Sequence, residues 1–99
     1  MSYGEKLLRG IRIKMIIHKI KDLAKLKPNA KYRIEMDTNE DGELLGAWIR
    51  PTKDYYKSVK NDIWSKHNTY LGKSIFSATR RKWANDTLKK YGFDAKVSE

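Results

Sequence analysis

The residues best suited to chemistry are cations set among aromatic rings between Tyr70 and Gly92. Lys73, Arg80, Arg81, Lys82, Lys89 and Lys90 flank a stripe of Phe76, Trp83, Thr87, Leu88 and Tyr91 that recurs at helical spacing. Guanidinium and ammonium groups pair with phosphate oxygens, and an exposed ring such as Trp83 stacks on a base. Lys57, Lys60 and Lys66 extend the same charge upstream. Arg80 falls inside the stripe on a helical wheel, so it must snorkel, stack on a ring or meet a carboxylate. The pattern implies a polyanion, with nucleic acid as the expected partner and its phosphates as the points of contact.

Catalytic groupings are sparse. His18 and His67 belong to no metal-ligand spacing, and the absence of cysteine removes thiolate sites, thiol nucleophiles and disulfides. Adjacent tyrosines, Tyr55 and Tyr56, suggest phosphodiester attack, but such nucleases also need a metal-binding histidine pair. Asp37, Asn39, Asp41 and Gly42 match the first half of an EF-hand loop, with Trp48 where the bidentate glutamate belongs. A hairpin turn explains the same residues. The expectation is a protein that is no enzyme and has no cofactor or metal.

The elements that must position these groups read as follows. Residues 5–26 form a long helix ending before Pro28, with one stripe of Ile13, Ile16, Ile17, Ile20, Leu23 and Ala24. A second stripe holds Leu8, Ile11, Met15 and Leu26. A helix apolar on two faces is sandwiched in a core or covers a partner. In the second case Leu8, Ile11 and Met15 centre a homodimer interface or one for an acidic protein. Residues 11–15 also alternate like a short strand.

Residues 31–36 and 43–50 alternate as the strands of a hairpin across the polar turn 37–42. Thr52 caps a helix over 53–67; Ser74 caps another that runs to Tyr91 and ends at Gly92. Past Gly92, Phe93 packs and the remaining tail is loose. The predicted fold is α+β: a long N-terminal helix, a β-hairpin and two C-terminal helices in one small domain over residues 1–99.

The net charge of +10 is unevenly spread. Residues 1–27 carry eight Lys/Arg and residues 55–92 carry nine, each against two acids, which gives the molecule a directed field. No apolar run has the length of a membrane span and no signal-peptide pattern is present, so the chain reads as intracellular, cytoplasmic or inside a particle. Lacking Cys and Gln and rich in Lys, Ile, Tyr and Glu, it suits a thermostable protein or a low-GC coding bias.

Two resemblances follow. Within residues 53–91, Leu71-Gly72-Lys73-Ser74-Ile75 followed by Arg80-Arg81-Lys82 resembles the turn and recognition helix of helix-turn-helix readers. Asn68, Ala78 and Arg81 depart from that family's apolar packing positions. The Lys/Ile/Tyr-rich whole, with Leu71-Gly72-Lys73-Ser74 and Arg80-Arg81-Lys82-Trp83, resembles in overall style small proteins of archaeal filamentous viruses of the lipothrixvirus and rudivirus type. That resemblance implies a heat- and acid-tolerant viral fold at work in a host cell, and it assigns no residue a role.

Overall fold

The computed structural model describes residues 14–59, 61 and 67–99. In chain order it contains β1 (Met15–Ile17), a 3-10 turn (Ile20–Lys25), β2 (Tyr32–Thr38), β3 (Leu44–Pro51) and α1 (Lys53–Val59). These are followed by β4 (Thr69–Gly72), a second 3-10 turn (Lys73–Phe76), α2 (Ala78–Lys90) and β5 (Ala95–Val97).

Strands β2, β3 and β4 make an antiparallel sheet with β3 at its centre. Because side chains alternate across a strand, register decides what each face carries. Ile34 opposes Ile49, Met36 opposes Ala47, and Ala47 opposes Leu71, which builds the inner, apolar face. On the outer face Arg33 opposes Arg50, and Glu35, Trp48 and Tyr70 form a row across all three strands. The register shifts at Asp37/Thr38, so that Thr38 opposes Leu44 and Leu45 is left as the extra residue. Leu44 is therefore half-buried while Leu45 lies exposed, which reverses the phase expected from the strand's far end.

The inner face closes on the first 3-10 turn, α2 and a parallel pair of β1 and β5. Ile17, Leu23, Ile49, Leu71, Ile75, Leu88 and Val97 are fully buried at the junction. Helix α2 starts where the Ser77 hydroxyl accepts from the Arg80 N–H. It stops where Gly92 takes φ +85°. Gly92 N–H then donates to Lys89 O and Phe93 N–H to Leu88 O, the paired bonds of a Schellman cap. Ala84, Thr87 and Leu88 are its buried face.

The α+β class holds, but the helix arrangement expected from the sequence does not. Residues 5–13 lie outside the described residues. Beyond them, Met15–Ile17 is a strand and Ile20–Lys25 a 3-10 turn, instead of the second half of a long helix. The carboxylate of Asp22 accepts from the backbone N–H groups of His18 and Lys19, at 2.9 and 3.0 Å, and so stops any helix from running through them. The two C-terminal helices are not joined by a glycine link, because Leu71-Gly72 belongs to β4 and pairs with Ala47 and Gly46. Ser74 lies in a 3-10 turn, and the helix begins four residues after it. The tail past Phe93 is not loose: β5 adds Val97 to the core. Among the described residues no helix is long and apolar enough to cross a membrane.

Gly46 lets Tyr70 lie flat across the sheet. A Cβ at Gly46 would sit 2.6 Å from the Leu71 carbonyl oxygen and 2.6 Å from the Tyr70 hydroxyl. The hydroxyl reaches Asp37 Oδ2 at 2.8 Å. Gly46→Ala is expected to destabilise the fold by about 2 kcal/mol, read from the urea midpoint. Gly72→Ala, whose Cβ would meet only Tyr70 ring carbons at 3.3 Å and beyond, is expected to cost clearly less.

Candidate nucleic-acid interface

The outer face of the sheet gathers charge and aromatic surface on adjacent strands. The Arg50 guanidinium lies over the Trp48 ring, 4.6 Å from its centroid, and Tyr70 packs edge-on against Trp48 at 4.9 Å. Glu35 lies between the two cross-strand arginines: Oε2 is 2.6 Å from Arg50 Nε and Oε1 is 3.4 Å from Arg33 Nη1. Arg50 Nη1 also donates to Asn68 Oδ1 at 3.3 Å, which ties it to the segment entering β4. Trp48, Tyr70, Arg33, Glu35 and Arg50 are all only half-buried, so the row meets solvent.

At the head of this face is a cleft of about 420 Å³ lined by Arg33, Glu35, Arg50, Pro51, Lys53 and Tyr56. Helix α1 supplies its far wall. Thr52 caps that helix, its hydroxyl accepting from Tyr55 N–H at 3.3 Å and its carbonyl from Tyr56 N–H at 2.8 Å. Successive helical residues point about 100° apart, since 3.6 complete a turn. Tyr55 therefore turns to Tyr32 while Tyr56 lines the cleft. The result is three cations, one carboxylate and an exposed phenol around a single opening.

The sequence-predicted cations prove to be spread around the molecule. Arg81 is structural: its Nε donates to Ser98 O at 3.0 Å and its Nη2 to Phe76 O at 2.9 Å, clamping α2 to the chain on both sides. Lys82 pairs with Asp86 at 2.9 Å and Lys73 with Glu43 at 3.3 Å. Arg80 stacks on Trp83, 3.8 Å from the ring centroid, the ring-stacked alternative anticipated for it. Lys89 and Lys90 are exposed near the end of α2, with Lys90 5.7 Å from the Tyr91 ring, and Lys57 is exposed on α1. Lys60 and Lys66 lie outside the described residues, as do Leu8 and Ile11. Met15 is half-buried in β1 and packs against the core, so it does not centre an exposed helical stripe.

The acidic loop is a hairpin turn. Asn39 Oδ1, a ligand atom in the EF-hand reading, instead accepts from Asp41 and Glu43 N–H, both at 2.9 Å. Gly42 takes φ +81° to close the turn.

Sequence reasoning missed Arg33, Glu35, Trp48, Arg50, Lys53 and Tyr70 as a group. The out-of-phase positions of the two hairpin strands were the available signal, since they hold the charged and aromatic residues. Only the register shows that they meet.

A second cluster lies at the opposite side of α1. Tyr32 packs edge-on against Tyr91 at 4.6 Å and Tyr55 at 5.5 Å, and its hydroxyl is 3.2 Å from His67 Nδ1. Burial, followed by its bond to and repulsion from Tyr55, pushes the Tyr32 phenol up to about 12. No protein-family model matches the chain, and no curated protein and no solved structure matches it.

Two outcomes follow. Arg81→Ala is expected to cost about 2 kcal/mol by chemical denaturation, because two carbonyls lose a charged donor. In the unfolded chain Tyr32 ionises near pH 10, below its folded value. The stability carried by its neutral form is therefore intact below pH 10 and is lost as pH rises toward about 12. Melting curves across that interval should show the fall, and Tyr32→Phe should flatten it.

Proposed function

We propose that this chain is a non-enzymatic nucleic-acid-binding protein that holds phosphates on the outer face of its sheet and in the adjoining cleft. The observation that carries the reading is the pairing of Arg33 with Arg50 directly across two strands, beside Trp48, Tyr70 and Lys53. Two guanidinium groups at opposed positions repel unless an anion lies between them, a place that the Glu35 carboxylate takes in the free protein. Such a pair beside stacked rings is suited to phosphates and bases together.

The surrounding charge supports the same partner. The chain carries +10, and among the described residues Lys53, Lys57 and Lys89 form no ion pair. Lys53 and Lys57, one turn apart on α1, would extend the phosphate track, whereas Lys89 lies beside β5 away from the outer face, Arg81 serves the fold, and Lys82 and Lys73 are held by acids. This shifts the centre of contact from α2 to the sheet and α1.

The test is binding to labelled nucleic acid across a salt series. Affinity should fall linearly in a log–log plot, and Arg33→Ala and Lys53→Ala should each reduce the slope by about 1. Lys82→Ala should leave it unchanged, and the nucleic acid should be recovered intact in the presence of magnesium. Failure to bind any nucleic acid at low salt would overturn the proposal.

A further inference from the structure

We infer that the outer sheet face is built for single-stranded nucleic acid and that Glu35 holds the phosphate position in the free protein. This rests on the nucleic-acid reading above and names its substrate class.

Three observations carry it. The first is the geometry of the anion already present. Glu35 places one carboxylate oxygen 2.6 Å from Arg50 Nε, as an ion pair without hydrogen-bond geometry, and accepts from Arg33 Nη1 with the other at 3.4 Å, so that one anion already sits between the two guanidinium groups without satisfying both. Among the described residues it is the one carboxylate lining the cleft. Its side chain is 45% exposed and that of Arg33 40%, whereas Arg50 is 24% exposed and fixed by Asn68 and Trp48. Glu35 is therefore free to swing into solvent while the Arg50 guanidinium stays in place. A phosphate entering the cleft takes over both arginines and adds Lys53.

The second observation is the line of rings. Tyr56 stands exposed at the cleft, and Trp48 and Tyr70 continue away from it along and across the sheet. From Arg50 to Trp48 is two residues, or about 7 Å along a strand. That step lies within the reach of consecutive nucleotides in an extended strand.

The third is what a duplex offers instead. Its base faces are hidden in the stack, so rings on a short, flat sheet face find nothing to stack on. A single strand uses the rings and the cations together, whereas a duplex uses the cations alone.

The experiment is fluorescence anisotropy at fixed salt with a short oligothymidylate and with a hairpin duplex of equal phosphate count. Wild-type protein should bind the single strand at least about tenfold more tightly, the worth of one stacked base. Tyr56→Ala, a change at an exposed position, should remove about that factor for the single strand and leave duplex binding and the salt slope unchanged. Glu35→Gln should tighten single-strand binding by about threefold to fivefold, the worth of an exposed ion pair that no longer competes. Equal or tighter duplex binding would overturn the inference while leaving nucleic-acid binding itself intact. Unchanged or weakened binding by Glu35→Gln would overturn the displacement of Glu35. Absence of binding to either probe would instead overturn the proposed function on which it rests.

Discussion

The side chain of Asn29 joins the two halves of the chain. Its Oδ1 accepts from the N–H groups of Lys31 and Tyr32, and its Nδ2 donates to the carbonyl of Tyr91, 62 residues later. One amide thereby fixes the start of β2 against the end of α2. The contact also explains the residue that ends the helix. At Gly92 the backbone is left-handed, and a Cβ there would stand 3.0 Å from Asn29 Nδ2, so glycine is required for two independent reasons. Around this bond the Tyr32 and Tyr91 rings meet, and the Tyr91 hydroxyl lies 2.7 Å from Thr69 Oγ1 in β4. Strand, helix and sheet edge share one joint.

With the inner face fixed there, the alternation of β2 and β3 commits every second side chain to the opposite side. What appears outside follows from what was needed inside. Tyr70 spans the Asp37–Gly46–Gly72 row, using its ring to cover strand positions that have no side chain of their own. Its hydroxyl bond to Asp37 raises the Tyr70 phenol above its ordinary value and holds the ring in that pose. The same row therefore strengthens a glycine-weakened part of the sheet and presents an aromatic surface. Structural and functional roles coincide in these residues.

How much of this was legible in the sequence depended on how local each signal was. The hairpin, the Thr52 cap and the Gly92 stop rest on contacts within a few residues, and each is found within a residue or two of where it was read. The N-terminal stripe of Ile16, Ile17, Ile20 and Leu23 fits a helix as well as it fits what forms. The choice is made by Asp22, which captures two backbone N–H groups, and by β5, which offers Met15–Ile17 a partner near the other end of the chain. Strands of three or four residues, such as β4 and β5, carry too little periodicity to be seen alone. The basic stretch Arg80-Arg81-Lys82 illustrates the reverse error. Three adjacent cations look like one patch, but the helix points them to a ring, to two carbonyls and to a carboxylate. The outer-face cluster comes from residues on three strands and required the register.

The parallel pairing of β1 with β5 has a mechanical meaning. In a parallel pair the chain enters one strand at one end and leaves the other strand at the opposite end. Tension applied before Met15 and after Val97 therefore pulls the two strands past each other along their length. The bonds from Met15 N–H to Asp94 O and from Ser98 N–H to Ile17 O are then loaded together, not one after another as in an unzipping hairpin. Behind them, Ile17 and Val97 lock into the core and Arg81 grips the Ser98 carbonyl. A short strand pair placed this way acts as a shear clamp, so the fold should resist extension more than its few hydrogen bonds suggest.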